Sequence, residues 1–354
     1  MKNTTTYNTL RTGQDMLLPL WKTALAAALC AAALCQPGLA QVPPASVLRI
    51  DVANNVLYQE DTSDVSKFAT NLNVTADSHG AKNFNRAVGV ADIVAVNGQP
   101  VTGTHIRSAM NVFLSTAPVP GQAIADTVRT ALAVFTFEIL KSDGTPIGTI
   151  VINGLAAGAA PPGAPLSVTG NNFVITGGTG AFLGVRGQMG VAANPPGVAA
   201  QRVASMTEDP ANRRLNGGGT QRWIAHLIPM ESPEIAMLPA GPAVTHSSDF
   251  SLVTASKPAA AGEILSLFAR GLGPVKPGVD PGQPFPSTPA NVNSPVEVMV
   301  NGKAAEVLSA VGFPGAVDGY QVNFRVPPDT PKGLASVQVS AAWILGNAVG
   351  IAVQ

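Results

Sequence analysis

Cysteine is nearly absent from this 354-residue chain: there are two, Cys30 and Cys35, both within the first forty residues. Any chain shortened past that point has no disulfide, no thiolate nucleophile and no cysteine metal ligand. Charge is also scarce. Asp, Glu, Lys and Arg make up 12% of the residues, about half the usual share, and 21 basic residues balance 21 acidic ones. No basic excess exists to meet phosphates, so the chain is expected to have no nucleic-acid partner. Aromatics at 5% are too few for a base-stacking platform. The longest apolar stretch, Thr23 to Cys35, falls short of the about 20 residues a spanning helix needs, so no membrane span is expected. Helical periodicity is missing as well.

The apolar stretch follows Arg11 and Lys22 and precedes the small residues Gly38-Leu39-Ala40. That order reads as a signal peptide over residues 1–40, cleaved near Ala40, and predicts a secreted or envelope-associated protein. Leu precedes both cysteines, where a lipidation signal carries a small residue.

Beyond it the chain is rich in apolar residues, 46% overall, and in glycine (36) and proline (30), which together fall short of the roughly 25–30% that marks low-complexity disorder. Short runs of Val, Ile, Thr and Phe alternate with turn residues. Asn97-Gly98, Asp143-Gly144 and Asn301-Gly302 each separate two such runs, and these pairs accept the positive φ angles of tight hairpins. The expected class is all-β, a barrel or a sandwich. Between Ile228 and Ser247 the alternation lapses and four prolines fall within Pro229–Pro242. Residues 229–246 therefore read as a linker between a first domain, 41–228, and a second, 247–354.

Val174-Ile-Thr-Gly-Gly-Thr-Gly-Ala-Phe-Leu-Gly184 has the look of a dinucleotide-binding turn. The spacing of Gly177, Gly180 and Gly184 is one residue too long for that fingerprint, and the segment that follows alternates like a strand. The longer segment Phe173–Gly187, with Phe137–Thr149 ahead of it, instead resembles the dirigent and allene oxide cyclase superfamily. The likeness covers about Phe135 to Val191. It implies an antiparallel eight-stranded barrel whose apolar lumen holds a small hydrophobic molecule without a cofactor, with Gly177, Gly178 and Gly180 in a structural turn. Dirigent proteins place acidic residues in the lumen, some near this turn; here the neighbourhood is Ala181-Phe182-Leu183.

Arg186 matches the family arginine, and alternation leaves it either in the pocket or in solvent. Glu138 lies on an apolar strand, where a buried carboxylate would act as an acid or base and a rim carboxylate would do neither. His105 and Arg107 share a strand face, and Arg222 and His226 another. Glu138, Arg186, His105, Arg107 and His226 are the candidate pocket residues; the catalytic residues are unknown. The four histidines show no ligand spacing, so no metal site is expected, and no Gly-x-Ser-x-Gly elbow occurs.

Ala261–Pro274, Pro295–Val307, Gly319–Pro327 and Gly346–Gln354 resemble, in order and spacing, an uncharacterised immunoglobulin-like (IPT/TIG-like) C-terminal domain of exported Acidobacteria proteins. The resemblance implies a small Ig-like β-sandwich following the barrel, without catalysis. Three functions stay open: a non-enzymatic protein whose barrel binds a small apolar molecule while the second domain presents it, a cofactor-free isomerase, cyclase or stereo-directing protein, and a purely structural envelope or matrix component.

Overall fold

The computed structural model describes residues 46–61, 84–113, 129–156, 170–280 and 282–354. The proposed signal peptide lies outside them. The regular secondary structure of the described residues is β-strand apart from the short 3-10 turn Pro210–Asn212, and Ala45–Gln354 packs as one compact unit.

Eight strands form a closed antiparallel barrel: β1 (Ser46–Asp61), β2 (Phe84–Val96), β3 (Thr102–Phe113), β4 (Arg129–Leu140), β5 (Pro146–Ala156), β6 (Gly170–Gly180), β7 (Arg186–Val191) and β8 (Gly219–Ile228). Each pairs with the next in space, and β1 closes the ring by pairing with both β8 and β2. The two hairpin turns read from sequence in this half, Asn97-Gly98 and Asp143-Gly144, connect neighbouring strands of the ring. Asn97 has φ 50°, Gly98 81° and Gly144 83°, the left-handed values such turns require.

Alternation along each strand sends one row of side chains into the lumen. Phe135, Phe137 and Ile139 of β4 are buried, whereas Leu132 and Val134 on the opposite face are 66% and 48% exposed. In β1 the rule switches midway. Leu48, Ile50 and Val52 point inward, then a bulge around Asn54, whose φ is 51°, shifts the register. Past it Leu57 joins the lumen core, while Val56 and Tyr58 turn outward onto a short parallel strand, Arg202–Ser205.

The second half is a nearly closed sheet with its own core. Besides the two-residue strands Val275–Lys276 and Asn291–Val292, it comprises β9 (Glu234–Ile235), β10 (Val244–His246), β11 (Ile264–Arg270), β12 (Val296–Val300), β13 (Lys303–Gly312), β14 (Tyr320–Arg325), β15 (Gly333–Ala341) and β16 (Ile344–Val353). The order is β9-β11-β14-β13-β12-β15-β16, with β10 also on β11. Residues 229–246, read from sequence as a linker, supply two of these strands. Ile235 is fully buried, and its N–H donates to Asn347 Oδ1 at 2.8 Å. The prolines interrupt alternation there without keeping the chain off the sheet, because each strand is only two or three residues long.

The two halves meet at one end of the barrel. The β15–β16 turn, Ala342-Trp343, enters the barrel end, so that Ala342 and Ile344 belong to the lumen core. Trp343 Nε1 donates to Gln99 Oε1 at 2.9 Å, and Gln99 in turn donates to Glu297. Both turn residues have positive φ, 48° and 62°, without being glycine. Such strain persists only where surrounding packing fixes it.

Candidate functional site: the polar floor of the barrel lumen

The lumen is built in levels, because residues paired across neighbouring antiparallel strands point the same way. One level is Ala91, His105, Phe137, Ile150 and Gly178, each hydrogen-bond-paired or directly opposite the next. One step further from the Trp343 turn come Gly89, Arg107, Phe135 and Ile152, with Leu57 opposite Gly89. The next level is Ala87, Ala109, Ala133 and Gly154, with Gln59 opposite Ala87 and Phe173 opposite Gly154. Four consecutive strands therefore place only Ala or Gly at that height, beside the bulky aromatic cluster.

The floor is this cluster of rings. His105 stacks on Phe137 at 4.3 Å and on Phe135 at 5.5 Å, and lies 5.3 Å from Trp223. Phe135 meets Phe173 edge-on at 4.6 Å and Trp223 at 5.2 Å. The Arg107 guanidinium carbon sits 5.5 Å from the Phe135 centroid, a cation–π distance. Gly89 makes room for Arg107: an added Cβ would stand 3.0 Å from the arginine Cβ.

Burial sets the chemistry of this floor. His105 is 2% exposed, and burial pushes its pKa down to about 3, with the Arg107 charge adding to that and a hydrogen bond to the Thr136 backbone opposing it. The imidazole is neutral at pH 7. Among the described residues its Nδ1 has no hydrogen-bond partner, and neither has Trp223 Nε1 on the adjacent ring. Two buried polar nitrogens without partners cost on the order of 1–3 kcal/mol each. Among the described residues no Asp or Glu is fully buried.

Of the candidate residues read from sequence, the structure brings His105 and Arg107 together and separates the rest. Glu138 is exposed on the outer face of β4, since Phe137 and Ile139 take the inward positions. Arg186 is exposed at the start of β7 and donates from Nη1 to Val185 O at 3.0 Å. His226 is half-buried on the outer side of β8, where burial lowers its pKa, and Trp223, Ala225 and Leu227 face inward instead. Sequence reasoning missed Trp223 and Gln59. Trp223 carries an alternation signal, being two residues from Ala225 and four from Leu227. Gln59 carries none, because the β1 bulge reverses parity just before it.

The Gly177–Gly184 segment is a strand end and turn with no helix after it. Gly180 has φ 63°, and a Cβ there would lie 2.5 Å from Ile147 O. A Cβ on Gly178 would lie 2.5 Å from both Phe182 O and Thr149 O. Gly177 has only the Arg186 side chain near its Cβ position, at 3.5 Å. The N–H groups of Ala181, Phe182 and Leu183 donate to Ile147, Thr179 and Gly180 carbonyls at 3.0–3.2 Å. They are committed within the protein and do not form an anion cradle.

No family model and no curated protein matches the chain. Among solved structures, one named a polysaccharide lyase aligns at a TM-score of 0.16 with 8% identity, over 87% of this chain and 39% of that one. The chain thus spans well under half of that protein's length, and a likeness at that score carries no argument. Among the described residues no helix is long and apolar enough to cross a membrane.

Proposed function

We propose that this is an exported binding protein whose dirigent-like barrel holds a small, mostly apolar molecule, with an Ig-like second domain that closes one barrel end and presents the whole. The observation that supports it best is the pair of unpartnered nitrogens, His105 Nδ1 and Trp223 Nε1, on touching rings beneath a level of Ala and Gly. Buried polar groups without partners concentrate at functional sites, because a bound molecule supplies the missing hydrogen bonds. Trp223 Nε1 offers a donor, neutral His105 offers a donor or an acceptor, and Arg107 adds positive charge. The matching ligand has an apolar body and one acceptor group, neutral or anionic. Binding is favoured over catalysis: an imidazole with pKa near 3 is a weak base, and among the described residues no Asp or Glu is fully buried to serve as its partner.

The test is a titration with 1-anilinonaphthalene-8-sulfonate, an aromatic body carrying one anionic acceptor. Saturable one-to-one binding to the native protein is expected. Trp223→Phe, which removes the indole N–H together with the fused five-membered ring, should weaken binding by roughly fivefold or more, through one lost hydrogen bond and lost apolar contact. Absence of saturable binding, or affinity unchanged in both Trp223→Phe and His105→Phe, would sink the proposal.

A further inference from the structure

A cavity at the seam between the halves has a volume of about 440 Å³. Its walls come from the Gly180–Leu183 turn, from Met230 just past the barrel, and from the second sheet. Three large apolar side chains converge on it while exposed to water: Leu183 at 70%, Met230 at 71% and Val317 at 56%. Exposed apolar side chains gathered at one concave spot mark a binding surface. Phe285 and Tyr320, ring centroids 5.1 Å apart, line it too.

The charge on this cavity has one sign. Glu231, Asp280 and Asp318 line it, and no Lys or Arg does. Arg270, which lines the adjoining cavity of about 310 Å³, pairs with Glu234, its Nε 2.8 Å from Oε2, and its charge also reaches Asp318 and Glu231 from outside the first cavity. The field is felt inside the wall: burial, then the charges of Asp318 and Glu231, push the Tyr320 phenol pKa up, while its hydroxyl donates to Gly273 O at 2.7 Å. The carboxylates do not converge as metal ligands, since among the described residues no three His, Cys, Asp or Glu side chains could hold an ion. What suits spread carboxylates around an aromatic and aliphatic wall is an organic cation.

We propose that the seam cavity binds a small molecule carrying an ammonium or similar cation on an apolar body. The volume is within the roughly 300–1,000 Å³ usual for such sites. This goes beyond the lumen reading and does not rest on it, because the lumen floor is cationic at Arg107 and selects for the opposite charge.

Calorimetric titration with tryptamine and with tryptophol tests it, since the two share an indole and differ in having an ammonium or a hydroxyl. Tryptamine should bind the native protein about fivefold or more tightly than tryptophol, and the advantage should shrink with added salt. Glu231→Gln should reduce that preference, and Asp318→Asn should reduce it further. Because Asp318 also accepts the Gly271 N–H at 3.3 Å, Glu231→Gln serves as the variant free of that structural bond. Trp223→Phe should leave tryptamine binding unchanged, which separates this site from the lumen. Equal binding of the two compounds, no binding of either, or a preference that survives both substitutions would overturn the proposal.

Discussion

The barrel and the second sheet both bury a histidine, and they treat it in opposite ways. His246 in β10 is 5% exposed; its Nδ1 is 2.6 Å from Glu263 Oε1 and its Nε2 3.3 Å from Lys257 O. Its neighbours are equally settled: Ser247 Oγ meets Ser266 Oγ at 2.8 Å, and Ser266 donates to Asn323 at 2.7 Å. His105 is buried at least as deeply, faces aromatic carbon, and leaves Nδ1 without a partner. A polar group that a fold needs is satisfied by the fold. One left unsatisfied inside the lumen is what the proposed ligand would complete, although among the described residues Ser46, Tyr58 and Ser294 also bury a side-chain oxygen without a partner. The contrast between a structural histidine and a waiting one is open to direct challenge.

The largest effect is expected from a third kind of buried polar group, on the outer side of the barrel. Asp92 of β2 accepts from Arg213 Nη2 at 2.6 Å, Arg214 Nε at 2.9 Å and Asn54 Nδ2 at 2.8 Å, binding the Pro210–Asn212 turn to the β1 bulge. Burial opposes ionisation of Asp92, but these hydrogen bonds outweigh it and hold the carboxyl well below its ordinary pKa. Asp92→Ala would strand the 8%-exposed Arg213. A loss of about 3 kcal/mol or more in urea unfolding is expected, as for a broken buried ion pair. A change under 1 kcal/mol would mean that water replaces the carboxylate freely. It would also weaken the rule that separates satisfied groups from waiting ones.

Next comes the second sheet. His246→Leu keeps the volume roughly and removes both ring nitrogens, leaving Glu263 with one remaining bond, to the Ala260 N–H at 2.8 Å. Stability should fall by about 1–3 kcal/mol, the cost of orphaning a part-buried acceptor. If this substitution proved neutral, His246 and His105 would belong to one class and the comparison would fail.

Acid should expose the difference between the lumen and the Asp92 cluster by the pH at which each gives way. His105 has a folded pKa near 3 against 6.5 for the ordinary side chain. Between those values the unfolded chain binds a proton that the folded chain refuses, so unfolding is favoured progressively as pH falls from about 6.5 towards 3. Asp92 is depressed too, but for a carboxylate that means stability fully present above its ordinary pKa of 3.8 and lost only below it. Unfolding free energies measured from pH 7 to pH 4 should therefore decline in the wild type, and part of that decline should vanish in His105→Phe. Identical slopes for the two proteins over that window would contradict the buried, neutral imidazole.

How much of this was legible beforehand follows from what each residue pattern encodes. The all-β class and the Asn-Gly and Asp-Gly turns were readable because alternation and positive-φ residues are local. The pairing of His105 with Arg107 was readable for the same reason: two residues on one strand share a face. Glu138 shows the limit. The exposed face of β4 carries Leu132 and Val134, so hydrophobicity alone could not say which side was in, and the answer depended on where Phe135 and Phe137 packed. The β1 bulge hid Gln59, since one extra residue inverts every later position. The joining of the Ala342-Trp343 turn to the barrel core lay further out of reach. It is a contact between residues more than two hundred positions apart, Trp343 and Gln99, made in a backbone conformation that neither Ala nor Trp advertises.

The smallest expected effect is the most discriminating. His105→Phe replaces the imidazole by a ring of similar shape with no nitrogen to desolvate, in surroundings of Phe135, Phe137 and Trp223. If His105 were a structural element like His246, the change would cost about as much as His246→Leu. If the site is held open for a ligand, the unliganded protein should lose nothing and gain up to about 1 kcal/mol at pH 7, because removing an unsatisfied buried group is neutral or stabilising when shape is kept. The same variant should lose affinity for 1-anilinonaphthalene-8-sulfonate while its melting temperature rises or stays level. That opposition is the signature of a residue retained against stability. A destabilised His105→Phe protein whose ligand affinity is untouched would assign the lumen histidine to the fold, and leave the barrel without a polar site.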